Sequence, residues 1–264
     1  MAAAPAEAYS YFRDLRRFEW DRPGYGSEPE EESGTIVSGS CTVDDFLFFG
    51  PYEAIRDFQL PQISDIPDLC YLNVPEVLQE PELPTGCESV ALTMALMYEG
   101  FSLDKTTIAR KYLIYNLEDD NMAEGYIGDP FTDSGAGCFP PAIASTAKRF
   151  FEENERNYEA YDISGTEMET LLCYVAAGTP VIVWNTIHME EPEFTGEYCT
   201  YEGTLYEWYR QEHCVLLTGY DLQDGTVQVH DPMDGIVTRE FQEFKRLYDL
   251  TGQCAVVIKD MEQP

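Results

Sequence analysis

The stretch Pro84–Gly100, PTGCESVALTMALMYEG, places a cysteine at the start of a predicted buried helix. Its apolar residues recur at helical spacing on more than one face, and Gly100 suits the end of a helix. A thiol at this position has two interpretations. Cysteine is a small apolar residue that often packs in cores. A helix N-terminus, however, also stabilises a thiolate and so favours a nucleophile.

Helical and strand patterns follow one another along the rest of the chain. Further helices are predicted over LDKTTIARKYL, PPAIASTAKRFFEEN, SGTEMETLLCYVAAG and FQEFKRLYDLTG. Strands are predicted at the start of CYLNVPEVLQ and over PVIVWNTI, HCVLLTGY, TVQVHDP and QCAVVIKD. The segment DLQDG joins HCVLLTGY to TVQVHDP as a hairpin turn. Helices come first and antiparallel strands later, which is typical of an α+β domain.

The composition restricts the class of partner. The chain has 264 residues, 44% of them hydrophobic, and a formal net charge of −33. Such a charge repels nucleic acid and anionic membrane surfaces, so neither is expected as a partner. No apolar run approaches the roughly 20 residues that span a bilayer. The N-terminus lacks a basic start followed by an apolar segment, so the sequence as written predicts a cytoplasmic protein. A trimmed N-terminus would be compatible with a secreted one.

Residues 1–60 differ from the remainder because they contain RPGYGSEPEEESG, a charged stretch typical of a solvated loop. We predict an N-terminal extension there, either a plain tail or a pro-segment, followed by one domain over residues 61–264. The eight cysteines are scattered without a Cys-x-x-Cys pair, which argues against a zinc ribbon or a redox dithiol. Reduced thiols are expected.

The residues that a cysteine nucleophile requires are a base and a group that orients the base. His213 opens HCVLLTGYD, and Asp231 closes TVQVHD. Paired residue numbers in an antiparallel hairpin have a constant sum, and pairing these two centres the turn on residue 222, beside DLQDG. The two side chains are therefore expected to lie near one another, so that the carboxylate can orient the imidazole.

Gln79 lies eight residues before Cys87. Its side-chain amide and the Cys87 backbone N–H are candidate donors to an oxyanion. Each assignment has a structural alternative: packing for Cys87, a hydrogen-bonded strand residue for His213, a turn for Asp231 and surface exposure for Gln79.

The remaining histidines and one cysteine are predicted to play no part in this group. His230 neighbours Asp231 and should point to the other face of its strand, in a structural or exposed position. His188 follows PVIVWNTI and is expected at the surface, with a place in the wall of the cleft as the alternative. Cys214 is expected in the core.

These motifs, in order, resemble a known family. VPEVLQEPELPTGCESVALTMALMYEG, GDP, GC, PVIVW, HCVLLTGYD and HDPMDG are similar to stand-alone bacterial domains related to bacteriocin-processing (double-glycine leader) peptidases. The likeness covers about residues 70–260. It implies a papain-like cysteine peptidase fold, in which a helical lobe and an antiparallel β-sheet lobe flank a cleft. It implies Cys87 as nucleophile, His213 as general base and acid, Asp231 as its orienting partner and Gln79 in the oxyanion hole.

The resemblance also implies a reaction. A cysteine peptidase or amidase would act on a peptide or protein substrate through an acyl-enzyme on Cys87. Two alternatives remain, because one fold hosts several functions: an acyl or peptidyl transferase with the same residues, and an inactive binding module. The transporter-linked relatives cut after a Gly-Gly leader. The G-x-x-x-x-G-K-[ST] motif of an ATPase does not occur here, so that substrate is not carried over. No metal or organic cofactor is expected.

Overall fold

A seven-stranded antiparallel sheet organises residues 58–118 and 120–262, the part of the chain that the computed structural model describes. The strands are β1 (Leu69–Tyr71), β2 (Tyr158–Asp162), β3 (Val181–Thr186), β4 (Phe194–Tyr201), β5 (Thr204–Tyr209), β6 (Glu212–Asp221), β7 (Thr226–Asp231), β8 (Gly235–Glu240) and β9 (Ala255–Asp260). The order in the sheet is β2-β9-β3-β6-β7-β8, with β1 also paired to β6, while β4 and β5 form a separate hairpin.

Helices cover both faces of this sheet. They are α1 (Cys87–Tyr98), α2 (Pro140–Glu153), α3 (Met168–Ala176) and α4 (Phe241–Leu250). The side chains of β3 alternate between two cores, as the period of a strand requires. Ile182 and Trp184 face the core that contains α1 and α2, whereas Val181 and Val183 face the core that contains α3 and α4. The predicted α+β arrangement is therefore present.

Helix α1 begins at Cys87, as the sequence predicts, and nearly all of its side chains are buried. Gly100 follows it with a φ of +90°. The Gly100 N–H donates to Met97 O at 3.0 Å, and the Phe101 N–H donates to Leu96 O at 3.1 Å. These two bonds form a Schellman motif, which needs a residue with positive φ and so favours glycine. Because α1 packs against β6, its first turn lies beside the beginning of that strand.

The helix predicted over LDKTTIARKYL is wrong in length. Only a π-helical turn at Ile108–Tyr112 forms, preceded by a turn in which Asp104 Oδ1 accepts hydrogen bonds from the backbone N–H and the hydroxyl of Thr106. This local bonding competes with helix formation, as it commonly does for aspartate and threonine. The other three predicted helices are confirmed as α2, α3 and α4.

The predicted extension, residues 1–60, lies outside the described residues except for its last three. Phe58 is buried, and its ring packs edge-on against Tyr174 with ring centroids 4.9 Å apart. The boundary at residue 60 stays a prediction. Within the described ranges, none of the helices combines the length and the apolar character that a bilayer-crossing segment needs.

Candidate active site

The bend before α1 is held by side chains from a neighbouring loop. The Tyr126 hydroxyl donates to Thr85 O, and Thr85 Oγ1 donates to Thr132 O at 2.9 Å. Gly86 is packed so closely that a Cβ there would lie 3.0 Å from the Leu83 Cβ. Cys87 is thereby fixed as the first residue of α1, where the backbone N–H has no partner within the helix.

Three of the predicted site residues line one cavity. Cys87, His213 and Gln79 contribute to the wall of a cavity of about 220 Å³. All three are buried: Gln79 is 3% exposed, Cys87 7% and His213 2%. The surface alternative for Gln79 is therefore wrong.

His213 and Asp231 are hydrogen bonded, with 2.7 Å between His213 Nε2 and Asp231 Oδ1. The contact between these two residues was predicted, but the predicted register of the hairpin is wrong. The predicted pairing places Leu216 opposite Gln228, whereas the structure pairs Leu216 with His230. The hairpin turn is centred further along the chain, and a bulge between Leu217 and Gly219 shifts the ladder. The imidazole and the carboxylate meet diagonally across the ladder rather than directly opposite.

The Asp231 carboxylate is held in its ionised form. Burial alone would raise its pKa, but the hydrogen bond and charge of His213 and the backbone N–H groups of Met233 and Asp234 lower that pKa to about 2. Arg239 adds an ion pair, with 3.3 Å between its Nη2 and Asp231 Oδ2. A fixed carboxylate of this kind can set the tautomer of the imidazole, with the proton on Nε2.

Gln79 is positioned by the loop that precedes α1. Its Nε2 donates to Pro84 O at 2.8 Å, and its backbone N–H donates to Pro232 O at 2.8 Å. The Lys105 ammonium stabilises the same loop, because it donates hydrogen bonds to the carbonyl oxygens of residues 78, 79 and 80. An amide has two N–H donors, so one remains after the bond to Pro84.

Two buried glutamates lie beside Cys87, and the sequence reasoning missed both. Cys87 Sγ donates to Glu88 Oε2 at 3.3 Å, and Glu88 Oε1 accepts the Cys138 N–H at 2.7 Å. Cys87 Sγ and one carboxylate oxygen each from Glu88 and Glu212 all lie within 4.8 Å of one another. The available signal was adjacency, because these glutamates directly follow Cys87 and directly precede His213.

This acidic surrounding changes the ionisation of the thiol. Burial raises the pKa of Cys87 well above its usual range, and the charges of Glu88 and Glu212 raise it further. Burial also raises the pKa of Glu88, and burial followed by the Glu88 charge raises that of Glu212 well above its usual range. In this arrangement Cys87 is a neutral thiol that points to Glu88.

The residues predicted to lie outside the site do not line the Cys87 cavity. His230 is buried and lies 3.0 Å from both Thr218 Oγ1 and Val74 O, which makes it structural. His188 is half-exposed and lies 3.1 Å from Asp234. Cys214 is buried in the core that contains α1. Cys87, Cys138, Cys214 and Cys254 are free thiols, as are Cys70 and Cys173.

A larger cavity adjoins the one at Cys87. It has a volume of about 500 Å³ and shares Ala136 and Trp208 with the Cys87 cavity. Its lining includes four aromatic side chains, those of Phe139, Tyr198, Tyr206 and Trp208, and the carboxylates of Asp120 and Glu197. The larger cavity lies between the loop at residues 120–139 and the β4–β5 hairpin.

Comparison with known proteins identifies the family. Residues 71–256 match the Peptidase_C39 like family. The chain belongs to this family. The uncharacterized protein YvpB of Bacillus subtilis is 29% identical over 190 residues, which are 69% of this chain and 72% of that protein. The crystal structure of a proposed C39-like peptidase from Bacillus anthracis is 29% identical, covers 72% of this chain and 97% of that chain, and gives a TM-score of 0.62.

Xylellain, a cysteine protease from Xylella fastidiosa, is 13% identical, covers 76% of this chain and 90% of its own, and gives a TM-score of only 0.41. The papain-like cysteine peptidase fold that the sequence predicts is confirmed by the family and by the Bacillus anthracis structure. The family is one of cysteine peptidases, and at this level it supports a cysteine peptidase.

Proposed function

We propose that this protein hydrolyses peptide bonds through an acyl-enzyme on Cys87. The observation that carries the proposal is the buried 2.7 Å hydrogen bond between His213 and Asp231 at the cavity that Cys87 lines. With Nε2 of His213 bound to the carboxylate, Nδ1 is the nitrogen that remains for proton exchange with the thiol.

The reaction begins when His213 Nδ1 takes the thiol proton and the Cys87 thiolate attacks the scissile carbonyl carbon. The oxyanion then lies against the Cys87 backbone N–H and the second N–H of Gln79. His213 returns the proton to the leaving amine as the C–N bond breaks, which leaves a thioester. Water, deprotonated by His213, attacks the thioester, releases the carboxylic acid and restores the thiol.

The two adjoining cavities support a peptide as substrate. Aromatic side chains offer apolar contact area to an extended chain, and the carboxylates of Asp120 and Glu197 favour cationic side chains. The net charge of −33 favours the same class of ligand. We therefore propose peptides with apolar and basic residues near the cleaved bond.

The test is to incubate the full chain with a peptide library and to identify new termini by mass spectrometry. Cleavage is expected to be lost in Cys87→Ala and His213→Ala and kept in Cys70→Ala, a matched control for a thiol outside the cavity. Cleavage by Cys87→Ala would contradict the proposal. An added amine that appears in the product would indicate a transferase, and peptide binding without any product would indicate a binding module.

A further inference from the structure

Glu88 and Glu212 approach the Cys87 thiol from two different elements. Glu88 belongs to the first turn of α1, and Glu212 is the first residue of β6. Gly137 lies between them, since a Cβ on that residue would be 2.9 Å from Glu88 Oε1 and 2.8 Å from Glu212 Oε2. If both carboxyls ionised, two like charges would repel one another in a buried place with little solvent to screen them. One of the two therefore retains a proton.

The hydrogen-bond partners indicate which carboxyl keeps the proton. Glu88 accepts from the Cys138 N–H and from the Cys87 thiol, two bonds that stabilise a carboxylate. Glu212 Oε1 is buried, and among the described residues it has no hydrogen-bond partner. An ion without donors is costly in such a place. The charge therefore belongs on Glu88 and the proton on Glu212.

Other titratable groups face this pair from several elements. They are Tyr126, Cys138, Tyr209, His213, Cys214 and Cys254. Burial raises the pKa of the three thiols and both phenols, so these five groups are neutral at neutral pH. Arg210 also lines the cavity. Among the described residues, the charges near the thiol besides the pair itself are those of Arg210, of His213 when it is protonated and of the Asp231 carboxylate bound to His213.

We propose that Glu88 and Glu212 share one proton, carried by Glu212, and that the charge left on Glu88 holds the Cys87 thiol protonated in its resting form. The inference rests on the proposed function only in naming Cys87 as the nucleophile. The two glutamates are positioning residues: they control the state of the thiol and do not replace His213 as the base.

The charge of the pair depends on pH in a defined direction. At neutral pH the pair carries one negative charge, which opposes a second charge on Cys87 Sγ. As the pH falls, Glu88 takes up a proton and the opposing charge disappears. As the pH rises, Glu212 ionises, and the second negative charge opposes formation of the Cys87 thiolate more strongly. The reactivity of Cys87 therefore increases less with pH than that of an isolated thiol.

The experiment measures the alkylation rate of Cys87 in the full chain with iodoacetamide, by peptide mass spectrometry, between about pH 5 and 9. The variants are Glu88→Gln, Glu212→Gln and the double variant. Glu99→Gln is the matched control, because Glu99 is another partly buried carboxyl of raised pKa but lies at the far end of α1. Thermal melts followed by circular dichroism check that each variant is folded.

A shared proton predicts an order of rates that a merely structural role would not produce. Glu212→Gln should react like the wild type, because Glu88 keeps its charge. Glu88→Gln should react severalfold faster, because the charge moves to Glu212. The double variant should react about tenfold faster or more at neutral pH, which corresponds to a fall of one pKa unit or more. Glu99→Gln should not change the rate.

Two results would overturn the inference. A Glu212→Gln rate well above that of the wild type would mean that Glu212 carries charge in the wild type. A rate between wild type and double variant would mean that both carboxyls are ionised, and a rate equal to that of the double variant would mean that the charge lies on Glu212 instead of Glu88. A double variant no faster than the wild type would mean that the pair does not restrain the thiol. If the double variant does not fold, an infrared difference spectrum of wild type minus Glu212→Gln replaces it. The C=O stretch of a protonated carboxyl is expected at neutral pH, and its absence refutes the inference.

This readout separates the inference from the proposed function. Alkylation needs no peptide substrate, so the predicted order of rates can appear in a protein that cleaves nothing in the library. Conversely, peptide cleavage that depends on Cys87 with no effect of either glutamate would sustain the proposed function and reject the shared proton.

Discussion

Gly137→Ala is the most direct perturbation of the acidic pair. The new Cβ would lie 2.8 Å from Glu212 Oε2 and 2.9 Å from Glu88 Oε1, distances that real Cβ atoms do not adopt. The φ of Gly137 is +112°, a region that strongly favours glycine. An alanine must therefore both strain the backbone and displace two buried carboxyls.

Gly178→Ala is the matched control that separates these two costs. Gly178 has a φ of +92°, and nothing lies within 4 Å of the position of its Cβ. Gly178→Ala is expected to lower the free energy of unfolding by about 1–2 kcal/mol through backbone strain alone. Gly137→Ala adds overpacking of about 1–3 kcal/mol, for a total of about 2–5 kcal/mol. Since the carboxyls move relative to Sγ, Cys87 alkylation should change only in Gly137→Ala.

Urea denaturation curves give the free energy of unfolding of each variant. Equal slopes of this free energy against urea concentration show that the two variants expose similar amounts of surface on unfolding. Peptide mass spectrometry gives the alkylation rate of Cys87 in the same preparations. If Gly137→Ala costs no more than Gly178→Ala and leaves the thiol unchanged, then the two carboxyls do not flank Gly137 and the account of the acidic pair is refuted.

Three further predictions test the site and the electrostatics. Asp231→Asn keeps the shape of the side chain but removes the charge beside His213, so cleavage should fall about 10²-fold or more in steady-state assays; an unchanged rate would exclude the orienting role. Gln79→Ala should lower kcat about 10²-fold with little change in KM, and an effect on KM alone would contradict oxyanion binding. Burial, then the charge of Asp260, raises the pKa of Glu99 to about 7 from 4.5. The folded state thus retains a proton that the unfolded chain releases, and stability falls as pH rises through this window. Between about pH 5 and 8, Glu99 should lower the free energy of unfolding of the wild type by on the order of 2 kcal/mol, and Glu99→Gln should abolish this fall in urea titrations. A variant whose stability has the same pH dependence as the wild type would refute the raised pKa.

Local signals in the sequence were sufficient for α1 and for the central strands. The Pro-Thr-Gly bend, the apolar run and Gly100 together define both ends of α1, because a helix terminus is determined by a few adjacent residues. The strands β3, β6 and β9 are buried on both faces, so they appear as continuous apolar runs. A strand that is buried on both faces can therefore be recognised from its own residues, without knowledge of its neighbours.

The strands β2, β4, β5 and β8 were not predicted because each is partly exposed and lacks the continuous apolar run of β3, β6 and β9. Strand β8, GIVTRE, alternates exposed and half-buried residues and is recognisable only once β7 is present beside it. The register of the β6–β7 hairpin failed for a similar reason, since the bulge at Thr218 is a tertiary feature. The His213–Asp231 contact was still predicted because a shift of two residues keeps both side chains on the same face.

The acidic pair could not be predicted, because Glu88 and Glu212 are far apart in sequence and meet only when α1 packs on β6. Their meeting alters the first inference drawn from Cys87. The helix N-terminus favours a thiolate by about 0.3–1 kcal/mol, and by up to about 2 kcal/mol when partly buried. The Glu88 carboxylate, 3.3 Å from Sγ, opposes it by about 5 kcal/mol at an effective dielectric constant of about 20. The carboxylate therefore outweighs the helix. Formation of the thiolate then depends on His213 accepting the proton while the pair carries no more than one charge, and a second ionised glutamate would make the same cysteine inert.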